Sequence, residues 1–514
     1  LQGYVIGHDA GTGGCKGVLA STGGELIASS FEPYPIYHPQ DRWAEQDPHD
    51  WWRAVTAGTR RLMQESGVDP SEVIGLGFAG QMLGVVPVDS SGIPLRRAII
   101  WLDSRADEQA ARFIRRFGGR KMVIRVAGAA PSGKDVVCKL AWLKENEPEV
   151  YRSTCAFLDT TGYLVYRATG EMVIDHTGAG GTGIINGRTR RWSLPLARVL
   201  GLSLEKMPPI RSSIDVVGPL NDVAAREMGL QVGTPVIAGM ADIPAAATGS
   251  GALEDGDAHI NIGTSSWLCL SVSRPRNLGK NGVAGVVSAD PEMFLMIGES
   301  ETAGACLEWF ARYFARPEEV QRAGGEREVF KVLDQVVEKV EPGAGRLLFT
   351  PWMFGERSPV ADTSIRASFI NLSLEHGRDH LLRAVYEGVA YNLRWLLDVA
   401  AGAGWSCEPL RAIGGGAKSD VWMQIISDVT RRRVEAVMNP QEAGAMGCAL
   451  AAALAAGAYG SFREIKQVVR IRKSFYPRED CCRVYDELYA VFRRIYPRLS
   501  GVCGRLNAPG SCKP

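Results

Sequence analysis

The chain lacks a surplus of either charge. Lysine and arginine number 58 against 57 for aspartate and glutamate, so no broad basic field exists to hold nucleic acid or an anionic membrane. Any anionic ligand must be gripped locally. The eleven cysteines include no C-x-x-C, and the adjacent Cys481 and Cys482 suit neither a zinc site nor a disulfide framework. A reducing, cytoplasmic compartment fits that usage. The longest run of small apolar residues, CALAAALAAGAYG, is too short to span a bilayer. The first residues lack a charged region ahead of an apolar core, and the opening on Leu1 rather than methionine leaves a short missing beginning as an expectation. What remains is a globular composition, 46% hydrophobic and 22% charged over 514 residues, enough for two large domains.

What the chain does have is glycine, concentrated first in HDAGTGGCKG. Glycines let backbone N–H groups approach an anion with no Cβ in the way. The Walker pattern fails because Lys16 follows Cys15, and the dinucleotide pattern fails because Gly11 and Gly13 run on to Lys16. The next residues, CKGVLAS, alternate and lead through TGG into ELIASSFEPY. The loop therefore reads as a hairpin with Asp9 at the end of its first strand.

Onward, strands alternate with helical stretches, the pattern of an α/β protein. QDPHDWWRAVTAGTRRLMQES predicts a helix opened by Asp47 and Pro48. VIGLGFAGQM, GVVPVD and RAIIWLDS read as strands; RADEQAARFIRRF and DVVCKLAWLKENEP read as helices, the second ended by Pro148. TPVIAGMAD reads as an apolar strand ending at Asp242. DAHINIGTSSWLCLSVS then repeats the opening order of strand, Gly-Thr turn and strand, with Gly263 and Thr264 echoing Gly11 and Thr12. Alone it is a plain hairpin. Half a chain after the first, it suggests two related lobes whose loops share a cleft and grip one polyphosphate. In LRAIGGGAKSDVWMQIISDV a helix starts near Lys418 or Ser419. Its three glycines serve either a tight turn or the close approach of a flat ligand such as a nucleobase.

These stretches, with RWAEQDPHDWW, KLAWLKEN, GFAGQM, WLDSR, GERSP and ASFINLSLEHGRDHLLRAVYE, stand in an order that resembles the FGGY carbohydrate kinase family. That family lies within the actin-like ATPase superfamily, and the likeness is strongest to its xylulokinase branch, from about residue 4 to about residue 475. Val136 stands where a small residue or proline is usual, and Asn371 replaces a glycine. The resemblance implies an α/β fold of two ribonuclease H-like lobes, residues 1–251 and 252–514, closing around a sugar with ATP between them. It implies transfer of the γ-phosphoryl group of ATP to a ketopentose, D-xylulose giving D-xylulose 5-phosphate.

In that reading Asp9 holds Mg²⁺ mainly through water. The turns Gly11, Thr12, Gly13, Gly14 and Gly263, Thr264, Ser265 donate to the phosphates. Gly414, Gly415 and Gly416 pass against the adenine and ribose, with Lys418 beside them. Lys16 either adds positive charge or points away as a solvated strand residue. Asp242 is the general base, and is also a candidate helix N-cap. A carboxylate at a helix start is stabilised in its charged form and weakened as a base, which a loose transition state tolerates.

On the sugar side, Gln81 and Met82 match a Q-M-H-G turn in which Leu83 takes the place of histidine, and Ile243 stands where asparagine is common. Trp101 suits stacking on a sugar, while Asp103 and Arg105 suit a polyol; alternatively Asp103 or Ser104 caps the next helix. His8 points to the opposite face from Asp9 and reads as structural. The tryptophans of WWRAV read as core. CCRVYDELYAVFRRIYPRL reads as an amphipathic helix packed on the body, and GVCGRLNAPGSCKP as a loose tail. The expected partner is a small sugar, with neither nucleic acid nor membrane, in a homodimer. The rival readings are a kinase for another pentulose or polyol, an actin-like ATPase switch, and a sugar sensor that has lost the chemistry.

Overall fold

The computed structural model describes residues 2–127, 130–324 and 328–508. Alternation in YVIGHDA and GCKGVLAS builds β1 (Tyr4–Ala10) and β2 (Gly14–Ser21), antiparallel neighbours joined by the glycine turn, and β3 (Leu26–Pro33) continues the meander. The other edge of β1 takes β4 (Val73–Gly80) in parallel. Helix α1 (Pro48–Ser66) lies in the crossover. Asp47 caps it by accepting from the His49 N–H, and Gly67 ends it at φ 65°. Its apolar stripe of Trp51, Trp52, Val55 and Leu62 is buried in the first core.

Before the chain returns to this sheet it forms α2 (Val136–Asn146), α3 (Thr160–Thr169) and α4 (His176–Gly181). Strand β5 (Val216–Pro219) is the edge, and β6 (Pro235–Ile237) and β7 (Met240–Ala241) both run parallel to β4. The single strand expected over TPVIAGMAD is thus two. Gly239 separates them at φ 77°, where a Cβ would lie 2.3 Å from the Phe78 carbonyl oxygen. RAIIWLDS shortens to a strand at Ala98–Ile99 because a turn closed by Asp103 N–H to Ile100 C=O follows it. Pro148 does not merely stop α2; it opens a helix of its own at Pro148–Ser153.

Helix α5 (Asp242–Ser250) leads to a second sheet built by the same rule. Strands β8 (Ala258–Ile262), β9 (Ser266–Val272), β10 (Val283–Val287) and β11 (Phe294–Ser300) are joined antiparallel, in the order β8, β9, β11, β10. The other edge of β8 takes β12 (Leu410–Ile413) in parallel, then β13 (Val434–Val437) in parallel and β14 (Ile471–Phe475) antiparallel. Both halves are therefore a run of antiparallel strands extended by parallel strands beside its first strand. Helices α6 (Arg378–Gly402) and α7 (Asp420–Thr430) fill the second core. At Asn371, where the resemblance expects glycine, φ is 72°. Asparagine is among the few other residues that tolerate this region.

Helix α8 (Ala443–Ala455) belongs by sequence to the second half but packs on the first sheet, sharing a core with Val5 and Val18. It meets α5 backbone to backbone. A Cβ on Gly447 would lie 1.9 Å from the Ala245 carbonyl oxygen, and one on Gly249 would lie 1.8 Å from that of Ala443. The alanine-rich run is small because this contact leaves no room for larger side chains. Among the described residues, no helix is long and apolar enough to cross a membrane.

Helix α9 (Glu479–Phe492) buries Tyr485, Leu488, Tyr489 and Phe492 in the second core, as its amphipathic pattern predicts. The expected loose tail is helical as far as α10 (Tyr496–Leu506), with Cys503 buried and the Asn507 side chain donating to the Ser364 carbonyl. The rest of that tail, residues 509–514, lies outside the described residues.

Candidate functional site

The first turn is held from behind. Gly11 N–H donates to Gly14 C=O at 3.1 Å, and the Tyr34 hydroxyl donates to Gly11 C=O at 2.5 Å. Gln46 Nε2 donates to Thr12 C=O at 2.7 Å, and Trp101 Nε1 to the Thr12 hydroxyl at 2.8 Å. The front of the turn is open: a Cβ on Gly13 would meet no heavy atom within 4 Å, and one on Gly11 only Gly14 O at 3.6 Å. The second turn is also closed on its own backbone, one residue shorter. Gly263 N–H donates to Ser265 C=O at 2.9 Å, and Ala303 and Ala305 N–H both donate to Thr264 C=O. Its front is open as well, since a Cβ on Gly263 would meet nothing closer than 3.6 Å.

Both turns border one cleft of about 750 Å³. Asp9, Gly11, Lys16 and Asp242 come to it from the first half of the chain, and Gly263, Thr264, Gly414, Gly415, Gly416 and Lys418 from the second. Thr12, Gly13, Gly14 and Ser265 belong to the same turns without lining it in this conformation. The glycine triplet is partly explained without a ligand. A Cβ on Gly414 would lie 2.6 Å from the Ile262 carbonyl oxygen, and one on Gly416 would lie 2.4 Å from the Ile262 side chain. Two of the three glycines thus answer to the protein's own packing, as the tight-turn alternative requires. Lys16 does not point away into solvent: its ammonium donates to Gln441 C=O at 2.8 Å, on the far wall of the cleft.

Two carboxyls face each other's field in this cleft. Asp9 ends β1 with its Oδ1 buried and without a hydrogen-bond partner, and its Oδ2 against the first turn of α8, where a Cβ on Gly444 would lie 2.3 Å away. Burial raises the Asp9 pKa, and Lys16 opposes that rise. Asp242 is the first residue of α5, not its cap; Ala241 holds that position. Its Oδ1 accepts from the Ile243 N–H at 2.9 Å. Burial, followed by the charge of Asp9, pushes its pKa up to about 7. The expectation of a carboxylate weakened by the helix start is therefore reversed, because desolvation and a like charge outweigh one N–H. His8, on the other face of β1, is buried against the Thr59 hydroxyl at 2.8 Å.

The unpaired Asp9 oxygen and the open turn fronts fit a hydrated divalent cation carried with a polyphosphate. Among the described residues no cluster of three or more His, Cys, Asp or Glu could hold a metal ion on its own.

The residues expected on the sugar side divide. Gln81 is buried, with its Nε2 donating to Gln46 Oε1 at 2.6 Å and its own Oε1 unpartnered. Met82 packs with Ile243 and Trp267 in a small apolar cluster, which accounts for isoleucine after Asp242. Leu83 sits at φ 62°, and its carbonyl accepts from the buried Lys139 ammonium at 2.7 Å. Asp103 and Arg105 do not face a polyol. Both side chains are fully buried and paired at 2.7 Å, and the guanidinium lies 3.7 Å from the Trp43 ring centroid. Asp103 caps no helix; Ala106 precedes the next one. Trp101 spends its indole N–H on Thr12, while Lys134 and Arg357, one from each half of the chain, lie 5.6 and 5.9 Å from its ring centroid.

Sequence reasoning assigned no role to Lys134, Lys139, Glu299, Glu301 or Arg357. Arg357 pairs with Glu299 and Glu301 at the end of β11, and Glu299 also pushes the Asp242 carboxyl up. A signal existed, since GERSP contains Arg357 and GESE places the two glutamates on one face of a strand. Asp334, which accepts from Tyr386 and Ser419 at the cleft wall, had none.

The model of the FGGY family of carbohydrate kinases matches in both parts, the N-terminal domain over residues 4–249 and the C-terminal domain over 258–456. A xylulose kinase of Bacillus subtilis (strain 168) is 33% identical over 494 residues, spanning 96% of each chain. The ligand-bound xylulose kinase from Lactobacillus acidophilus superposes with a TM-score of 0.87 at 26% identity, covering 98% of this chain and 100% of that one. A gluconate kinase from the same organism does so equally, with a TM-score of 0.87 at 26% identity, covering 99% and 100%. The two-lobed α/β architecture is that of the actin-like sugar kinases, and the chain belongs to the FGGY family of carbohydrate kinases.

Proposed function

We propose that this sugar kinase transfers the γ-phosphoryl group of ATP to a hydroxyl of a ketopentose, D-xylulose giving D-xylulose 5-phosphate. The observation that carries the reading is that both open turns border the same cleft as Asp9 and Asp242. The turns Gly11–Gly14 and Gly263–Ser265 donate N–H and hydroxyl groups to the triphosphate from the two lobes, residues 1–251 and 252–514. Lys16 adds positive charge, and Gly415 with Lys418 borders the nucleoside. Mg²⁺, held at Asp9 largely through water, would neutralise phosphate charge. Asp242 accepts the proton of the attacking hydroxyl as the new O–P bond forms and ADP leaves. Gln81, Met82 and Trp101 flank the acceptor, with Asp103 and Arg105 as the buried frame behind them.

The 33% identity to the xylulose kinase of Bacillus subtilis favours D-xylulose. The gluconate kinase of equal structural likeness makes a sugar acid the second reading. ADP release measured over ketopentoses, polyols and gluconate separates them. Turnover on D-xylulose above the others is expected. Turnover without sugar, or sugar binding without turnover, would turn the reading to an ATPase switch or a sensor.

A further inference from the structure

Two carboxyls outside the cleft, Asp175 fully buried and Asp159 half-buried, play no part in that chemistry. Asp159 caps α3, its Oδ1 accepting from the Gly162 N–H at 2.7 Å. Asp175 caps α4, its Oδ1 accepting from Thr177 N–H at 2.7 Å, from Gly178 N–H at 3.2 Å and from the Thr177 hydroxyl at 2.5 Å. Their other oxygens converge. A Cβ on Gly178 would lie 2.2 Å from Asp159 Oδ2 and 3.0 Å from Asp175 Oδ2. Asp175 Oδ2 is buried with no hydrogen-bond partner, and neither acid forms an ion pair with a described residue. Two acids so placed, one of them fully buried and with no cation between them, do not both ionise. A single proton on the Oδ2 side leaves both Oδ1 atoms free to accept from the helix starts.

Asp175 is linked by hydrogen bonds to the chain just before Asp242, and the helix that Asp159 caps touches the same segment. The Thr177 hydroxyl gives its proton to Asp175 and accepts from Ala241 N–H at 2.8 Å. Two residues after Asp159, the Thr161 hydroxyl donates to Met240 C=O at 3.1 Å. That carbonyl and that N–H are the two ends of one peptide group, the 240–241 peptide, separated from Asp242 by Ala241 alone.

We propose that Asp159 and Asp175 hold one proton between their Oδ2 atoms and, through Thr161 and Thr177, act as positioning residues that fix the 240–241 peptide and so aim Asp242. Burial raises both acids, and the charge of Asp159 raises Asp175 further. The other titratable groups nearby are Cys448 of α8, whose thiol burial pushes up, and His176, which is engaged with Ser288 C=O and Ser213 N–H; Arg211, paired in register with Asp175, is exposed.

The kinetic arm of the test rests on the kinase reading; the melting arm does not. In the full chain, Thr177→Val should lower kcat about tenfold or more, with the KM for sugar and ATP within about twofold, and Thr177→Ser should restore it. A valine variant with the serine variant's kcat overturns the positioning role. Because the folded chain keeps a proton that unfolded aspartates release above about pH 4, this pair makes stability fall as pH rises. The melting temperature of the unaltered chain should therefore decline more steeply from pH 5 to 8 than that of Asp175→Asn, which supplies an amide N–H in place of the proton. Equal slopes overturn the shared proton. If the unaltered chain turns over no sugar, the kinase reading fails and the melting comparison still decides the proton.

Discussion

The Lys16 ammonium lies 2.8 Å from the carbonyl oxygen of Gln441, a residue 425 positions away in the chain. This bond ties the strand after the first turn to the segment that opens α8, across the cleft that both turns border. Lys16→Met should raise the KM for ATP about tenfold, the usual weight of one charge-assisted hydrogen bond, while the KM for sugar stays within about twofold. Steady-state kinetics with each substrate varied decides it, and an unchanged KM for ATP removes Lys16 from the phosphate site.

Asp242 should show two opposed effects on substitution. Asp242→Asn removes the proton acceptor, so turnover should fall by about 10² to 10⁴ with nucleotide binding retained. Stability should move the other way. Asp242 is raised to about 7 by burial and by Asp9, so between about pH 4 and 7 the folded chain binds a proton that the unfolded chain has lost. Stability falls as pH rises through that window, and the penalty is complete above it. The asparagine variant should gain on the order of 2 kcal/mol at pH 8, a gain that shrinks to nothing near pH 4. Melting curves at the two pH values test this; a variant less stable at pH 8 contradicts the desolvation argument.

Trp101→Phe separates two uses of the same side chain. Stacking on the sugar would survive the change, whereas the N–H to the Thr12 hydroxyl would not. The KM for ATP should rise several-fold, to about the extent of one hydrogen bond, with little change for the sugar. The reverse pattern would tie the indole N–H to the sugar rather than to the phosphate turn.

Gly447→Val tests the seam between α5 and α8. The valine Cβ has no space beside the Ala245 carbonyl, so unfolding in urea should show a loss of about 3 kcal/mol or more. A variant as stable as the unaltered chain would mean the helices can part without cost.

The twin hairpins were legible because a strand, a Gly-Thr turn and a second strand form a local pattern, and its recurrence half a chain later is visible without coordinates. Asp9 and Asp242 were legible because each stands where an apolar stretch gives way, Asp9 to the glycine turn and Asp242 to a helix. Asp103 and Arg105 misled because a charged pair after an apolar stretch looks like a ligand site; that the two side chains satisfy each other under Trp43 and Trp142 depends on α2 and on chain far from WLDSR. The tail was misread because Gly501 and Gly504 weaken the helical signal, while Cys503 and Tyr496 find partners only in the folded second core.

From its sequence alone the chain determined the two hairpins, the glycine turns that join their strands and the alternation of strands with helices, since periodicity and glycine placement act over a few residues. Tertiary structure alone decided that α8 crosses to the first sheet, that Lys16 reaches Gln441, and that Asp242 is held near neutrality beside Asp9. Those outcomes depend on desolvation and on contacts between segments hundreds of residues apart, and neither leaves a mark on local sequence.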